Sequence, residues 1–543
     1  CYFVQNQELR MLKKHARFIF IIVIGSLLFS CANRGRPSGG PKDEIPPQIV
    51  KSTPENFSTN FNGKEIKIYF DEYVKIKNLQ RQLIISPPMD PAPEVTPLGT
   101  ASKYITLKIN DTLQENTTYA FNFGNSITDN NEGNPYNQFK YVFSTGEIID
   151  SLSISGSVKD AYDKTVESFV SVMLYEVNDE FNDSVVYKGT PRYITNTLDS
   201  LKIVTIDNIK AGKYLLVALK DNGNNKFNPK SDKIGFQKQY ITVPNDTIFE
   251  LDLFKEKLPF KAIKPTQGSG NKIIMGYEGN PKSMKVSLKH GSEIIPTLVT
   301  QFPKKDSVQV WFKPIKADSL NLAVANGNYK KSYTFKKTEQ KKDTLSFTPK
   351  TSLGLSKLDQ FTIRSSRPLV KFDESKMKVT DKDSVNVKFT TSYDAYTQEL
   401  KFDIPKDPLQ RYKFQLLPGA LTDYIDQKND TLSYKVTTKS ATDYGNLRVN
   451  LTNVKQFPVI VELTNDKGDV LASEFSEKNT SLDFMFLEPA KYTLRVIYDA
   501  NRNKEWDSGN FLERLQPEEV IYFPKEIDVR GNWDVDQTFD LNQ

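Results

Sequence analysis

From Ile49 to the C-terminus the sequence is written in short runs that alternate apolar and polar residues, broken at short intervals by turn signals. Ile66, Ile68 and Phe70 alternate with Glu65, Lys67 and Tyr69, and Tyr104 to Ile109, Tyr119 to Phe123 and Tyr141 to Phe143 repeat the theme. Turn signals fall at Asn62-Gly63 and across Asp129 to Asn134. A period of two places successive side chains on opposite faces of a strand, so the apolar face must be buried by stacking sheet on sheet. The expected fold class is all-β, as tandem β-sandwich domains.

The N-terminal region follows different rules. Met11 is the expected initiator, with the preceding residues an over-extended start. Lys13, Lys14 and Arg17 precede an apolar run from Phe18 to Phe29, the pattern of a bacterial signal peptide. That run is shorter than the roughly 20 residues a spanning helix needs. It ends in Leu28-Phe29-Ser30-Cys31, which resembles the lipobox of bacterial lipoproteins. The resemblance implies cleavage after residue 30 and lipidation of Cys31. Residues 31–47, rich in Gly and Pro, read as a flexible tether.

Composition then narrows the chemistry. Cleavage leaves 513 of the 543 residues, enough for several domains. The formal charge is +6, about half of it in the leader, which is no nucleic-acid signature. The two cysteines are Cys1 and Cys31, so the mature chain has no disulfide framework. Of two histidines, His15 lies in the leader and His290 in a Lys-His-Gly-Ser turn pattern. Triads, Cys-His dyads and histidine-based zinc sites therefore lack their parts. Carboxylate chemistry stays open on composition alone, because acids are too numerous for any pair to stand out. The expectation is a non-enzymatic protein.

Residues 48–147 carry Ser52-Thr53-Pro54, Phe70-Asp71-Glu72, Thr117-Thr118-Tyr119, Ile127-Thr128-Asp129 with Gly133-Asn134, and Phe143-Ser144-Thr145-Gly146. These resemble the bacterial Ig-like domain. Residues 151–256, with Ile154-Ser155-Gly156-Ser157-Val158 and the run Ile209 to Leu219, resemble the carboxypeptidase-regulatory type of sandwich, a small non-catalytic domain. Residues 257–348 read as a further sandwich, with Trp311 expected in its core. The lysine pairs at 330–331, 336–337 and 341–342 read as a sheet edge guarded against pairing; an anionic-lipid contact is the other reading. Residues 349–440 read as a second Ig-like unit, Leu421-Thr422-Asp423 standing where Ile127-Thr128-Asp129 stood.

Residues 441–543 echo the second domain. Ala490 to Asp499 matches Gly212 to Asp221, with tyrosine seven residues before aspartate in both. Both enter Asn-rich loops. In the later loop Asp499, Asn501, Asn503 and Asp507 have the alternate spacing of calcium ligands. Lys504 and Asn510 depart from the EF-hand pattern, and Asx residues also favour hairpin turns without metal. Calcium is thus one candidate cofactor. Trp506, Tyr522, Phe523, Arg530 and Trp533 are the densest group of interface-favoured residue types, either a docking surface or the closing core of the last sandwich.

Leader, tether, Ig-like domain and the terminal Asx-rich segment together resemble a family of Ig-like-domain outer-membrane lipoproteins of Bacteroidota. The resemblance implies a protein anchored by acyl chains that serves as scaffold or accessory subunit of an envelope complex, in outer-membrane protein assembly, secretion or uptake. Its expected partners are integral outer-membrane proteins or other lipoproteins, and no nucleic acid. Arg34 and Arg36 after the cysteine favour the periplasmic face and the Ig-like likeness favours the cell surface, to which the balance leans. A surface adhesin or glycan-binding protein is the rival from the binding class, and a carboxylate-based glycan hydrolase the rival enzyme.

Overall fold

The computed structural model describes residues 42–165, 167–198, 203–303, 305–351 and 354–542. Cys31, the leader and most of the tether lie outside the described residues. The described chain is dominated by β-structure, arranged as five successive pairs of sheets with one further two-stranded sheet, Leu369–Phe372 with Leu421–Asp423, in the fourth pair.

In the first domain the strands Ile49–Thr53, Glu65–Ile76, Ser102–Lys108 and Glu94–Thr96 form one sheet. Ile84–Ser86, Thr118–Asn122 and Lys140–Ser144 form the other. The alternation places side chains as expected: Ile66, Ile68, Phe70, Ile105 and Leu107 meet Phe121, Phe123 and Phe143 in the core, while Tyr104 faces out. The fourth domain repeats this order. Phe347–Pro349, Phe361–Ser365, Glu399–Asp403 and Thr390–Asp394 oppose Met377–Thr380, Arg411–Leu416 and Leu432–Thr438.

Asp129 and Asp423 occupy equivalent places, at the ends of the short strands Ile127–Asp129 and Leu421–Asp423, and both are buried. Burial alone would raise the carboxylate of Asp129. The backbone N–H groups of Gly133, Glu132, Asn134 and Asn131 donate to it at 3.0, 2.7, 2.6 and 2.8 Å and hold it below the usual carboxylate range. Asp423 accepts from Ile425 and Gln427 N–H and from the Arg367 guanidinium at 2.9 Å. Each aspartate organises its turn by satisfying backbone donors that the sheet leaves over.

The second and fifth domains share a different topology. In each, the first strand (Leu152–Asp160 or Gly445–Thr452) is the centre of a three-stranded sheet, and the last strand (Ile248–Leu253 or Asp534–Asp540) pairs with it in parallel. The opposing sheets are ordered around Gly212–Lys220 and Ala490–Tyr498. The repeat seen in sequence is therefore a repeat of topology.

The third domain stacks Lys272–Glu278, Ser307–Phe312 and Thr297–Gln301 against Glu293–Ile295, Lys285–His290, Ser319–Asn326 and Tyr329–Lys336. Trp311 is buried, donates Nε1–H to Thr300 Oγ1 at 2.9 Å and lies edge-on to Tyr424 of the fourth domain, 5.5 Å between ring centres. Contrary to the expectation from sequence, it lies outside the core of its own sandwich: Val308, Val310 and Phe312 face inward, so the alternation turns Trp311 to the outer face, where the fourth domain covers it. Trp311→Ala is expected to cost about 3–5 kcal/mol, measured as a lower urea midpoint of the transition that includes both domains; an unchanged midpoint would show that the ring carries no such weight.

Candidate functional site

The residues from Leu215 to Leu219 are apolar without interruption, and all are buried. A strand apolar on both faces must be covered on both. Tyr214, Leu216 and Ala218 enter the core of the second sandwich. Leu215, Val217 and Leu219 point the other way and join Met173, Tyr175, Phe236 and Phe254 in a second apolar cluster on the outside of the same sheet.

That outer face is covered partly from within the second domain and partly by its neighbours. The short helix Val185–Lys188 supplies Val186 and Tyr187, and the first domain supplies Ile84. The fifth domain supplies Phe511, fully buried, edge-on to Phe236 at 5.2 Å between ring centres. The loop that carries it approaches so closely that a Cβ on Gly509 would lie 2.6 Å from the Phe254 ring and 2.6 Å from Leu515 O. Around this anchor, Ser508 Oγ donates to Lys255 O at 2.5 Å, Phe511 N–H to Glu256 at 2.6 Å and Gln516 Nε2 to Phe236 O at 2.8 Å. Arg514 pairs with Asp183, and Lys257 with Asp507.

Beside the apolar anchor lies a buried charge. Arg495 is 0 % exposed and reaches Glu462 at 2.6 Å. It donates to Tyr522 Oη at 3.0 Å and to Tyr162 Oη at 2.5 Å, with its guanidinium 4.0 Å from the centre of the Tyr162 ring. Tyr522 Oη–H donates in turn to Tyr162 O at 2.6 Å. Arg495 and Tyr522 belong to the fifth domain and Tyr162 to the second, so the network bridges two domains more than three hundred residues apart. Burial pushes the Tyr162 and Tyr522 hydroxyls up, which keeps both in the neutral donor form.

These contacts close the last four domains into a ring. The second and third domains are consecutive and linked by Lys230–Glu278 at 2.8 Å. The third meets the fourth at Trp311–Tyr424 and where Gln301 N–H donates to Tyr396 O at 2.7 Å. The fourth meets the fifth through Lys439–Glu488 at 2.5 Å and Lys357 N–H to Tyr444 Oη at 3.2 Å. Where the third, fourth and fifth domains converge, an open cleft of about 740 Å³ is lined by Leu258, Met284, Val299 and Tyr396, with Lys282 and Glu505 at its side.

The candidate interface residues divide. Trp506 lies against the Tyr162 ring at 4.6 Å and donates Nε1–H to Glu518 O at 3.0 Å, so with Tyr522 it belongs to the internal junction. Phe523 is in the sandwich core against Phe539. Arg530 and Trp533 stay outside, the guanidinium 5.0 Å from the indole centre and Trp533 53 % exposed.

The candidate calcium residues do come together, in a loop held by its own donors. Asp499 accepts from Asn503 and Lys504 N–H at 3.1 and 2.8 Å. Asp507 accepts from Asn503 Nδ2 at 2.6 Å, from Asn501 Nδ2 and from the Lys257 ammonium. Burial would raise Asp507, but Lys257 and the two amides outweigh it and hold the carboxyl below the usual range. Among the described residues no group of three His, Cys, Asp or Glu side chains is arranged to hold a metal ion.

Arg495, Phe511 and Tyr162 are the functional residues sequence reasoning passed over. One signal was present: Arg495 stands where the repeat has Val217, a cation inside an otherwise apolar strand. No pattern in the loop marks Phe511.

Comparison with known proteins places the first domain. Residues 43–145 match the family model described as the bacterial Ig-like domain. No curated protein matches. Among solved structures, the chain is similar to domains 1–6 of the surface layer protein SbsC, at 11% identity over 89% of this chain and 67% of that one, with a TM-score of 0.15. It is similar also to the BSP domain of a biofilm associated protein, at 8% identity over 75% and 99% with a TM-score of 0.14. Extracellular domains 3–5 of Drosophila OTK match at 10% identity over 53% and 92%, with a TM-score of 0.14.

Removing one partner of a buried ion pair strands the other. Arg495→Ala is therefore expected to destabilise the fifth domain by about 3–5 kcal/mol, whereas Arg495→Met with Glu462→Leu costs much less; equal losses in urea unfolding would refute the pairing. Gly509→Val is expected to detach the junction while leaving both sandwiches folded, seen as a larger radius of gyration in solution scattering and new protease cleavage between residues 499 and 519. Calcium or a chelator is expected to move the unfolding midpoint by less than about 1 °C. Glu256 is held above the usual carboxylate range by burial. A carboxylate raised in the folded state contributes stability that is lost as pH rises through its folded value, so Glu256→Gln is expected to stabilise the protein at neutral pH and not below pH ~4.

Proposed function

We propose that this Ig-like-domain protein is an outer-membrane lipoprotein, anchored through acyl chains on Cys31 at the cell surface, that acts by binding as a scaffold or accessory subunit of an envelope complex. The observation that carries this reading is the closed ring. A string of five sandwiches joined only end to end would reorient at every linker, whereas the Phe511 and Arg495 contacts hold the last four in one arrangement. Fixed surfaces on a rigid body reduce the ordering cost of association, which suits presentation of contacts to integral membrane proteins. His290, the histidine outside the leader, stands opposite Glu293 in an exposed hairpin. Several acyl chains on one cysteine give durable anchoring, because each buried methylene contributes about 0.8 kcal/mol.

One feature favours a second reading. Trp533, stacked under Arg530 and open to solvent, has the character of a glycan-stacking residue, as a surface adhesin would use.

Affinity-tagged protein extracted in mild detergent is expected to bring integral outer-membrane proteins with it, and recovery of the protein alone in every detergent would overturn the scaffold reading. Cys31→Ser is expected to make it removable from the membrane by a high-salt wash without detergent, which the acylated protein resists. Retention on cell-wall or host glycans that Trp533→Ala abolishes would establish the adhesin in its place.

A further inference from the structure

Charge is distributed very unevenly among the five domains. From Lys257 to Lys342 there are seventeen lysines and no arginine against five acidic residues, a net charge of +12 in a chain whose total is +6. Residues 441–543 hold nineteen acidic residues against eleven basic ones, a net of −8. The third domain is thus the most basic of the five and the fifth the most acidic.

The fold concentrates part of that charge on one sheet face. Lys285, Ala325 and Lys330 are aligned across three strands, followed by Ser287, Ala323 and Ser332, then Lys289, Asn321 and Thr334, then Ser319 and Lys336. The alternate residues Leu288, Leu320, Leu322 and Val324 are buried in the core, so the first set faces outward. The outward floor is small and polar, with Asn321 Nδ2 donating to Thr334 Oγ1 at 2.9 Å, and the four lysines stand at its margins. Strand geometry gives the face about 10 Å by 20 Å. Among the described residues Lys285, Lys289, Lys330 and Lys336 form no ion pair, in contrast to Lys230, Lys272 and Lys282, which are paired. Glu293 opens the neighbouring strand Glu293–Ile295 and Asp318 immediately precedes Ser319–Asn326. Next to Lys289 on the neighbouring strand, Ile294 is 64 % exposed on the same side.

We propose that this face of the third domain docks on an anionic lipid surface. Four unneutralised ammonium groups spread over a flat floor match an array of phosphate headgroups, each lysine near such a surface contributing about a factor of five in affinity, from about 1 kcal/mol. The absence of arginine argues against a specific bidentate site, and lysine is depleted at protein interfaces. Ile294 adds an apolar residue that can enter the headgroup layer beside the lysines. The face makes a second, electrostatic attachment, independent of any acyl chain.

The test uses the full chain as Cys31→Ser, so that no acyl anchor contributes, in co-sedimentation with vesicles. Binding is expected to vesicles of phosphatidylcholine with about 30 % phosphatidylglycerol and not to phosphatidylcholine alone, and to weaken at least about tenfold between about 50 and 300 mM salt. The combined change Lys285→Gln, Lys289→Gln, Lys330→Gln and Lys336→Gln is expected to weaken it about a hundredfold or more, with the circular dichroism spectrum and unfolding midpoint unchanged. Equal binding to both vesicle types, no binding to either, or binding indifferent to the four lysines overturns the proposal. So does self-association in vesicle-free solution that the same change abolishes, which would make the acidic fifth domain of a second copy the occupant of the face.

Discussion

The arrangement of the molecule depends on the seating of Phe511 against Phe236 and Phe254. The central sheet of the second domain is apolar on both faces, because Leu215, Val217 and Leu219 point away from the sandwich core. Left uncovered, that outer face would be a large exposed apolar patch of the kind soluble domains avoid. The fifth domain covers it with a loop whose backbone fits only because residue 509 has no side chain. Hydrophobic burial supplies the attraction and is non-directional; the hydrogen bonds of Ser508, Phe511 and Gln516 fix the orientation.

The Arg495 network adds specificity to that contact. A buried guanidinium is costly unless its donors are matched, and here Glu462 neutralises it while Tyr522 and Tyr162 take its remaining N–H groups. Since Tyr162 comes from the second domain, the arrangement is complete only when the two domains meet. The acidic fifth domain is also drawn toward the lysines of the linker and third domain, at Lys257–Asp507 and Lys282–Glu505. The same surplus of lysine leaves the outer sheet face of the third domain unneutralised.

Much of the fold was legible before any coordinates. The alternation through Ile66, Ile68 and Phe70 specified both the strand and its buried face, and the match of Ala490–Asp499 to Gly212–Asp221 announced two domains of one topology. The likeness of Leu421-Thr422-Asp423 to Ile127-Thr128-Asp129 is a likeness of buried, turn-organising aspartates. The candidate site was less legible. The Asx loop reads equally as a metal loop or a hydrogen-bonded one, because the same oxygens serve either purpose. The aromatic group between Trp506 and Trp533 splits among core, junction and surface, since residue type does not say which neighbour a side chain will find.

By itself the sequence determined the strands, their inward faces, the sandwich class and the repeat, because each follows from local periodicity and turn chemistry. Tertiary structure alone decided that the second and fifth domains touch, that Arg495 is buried and that Phe511 is an anchor. Those facts depend on contacts between residues hundreds of positions apart, which leave no periodic trace in the chain. The charge of the third domain lies between the two cases. Its lysines can be counted in the sequence, but only the register of Lys285, Ala325 and Lys330 puts them on one open face.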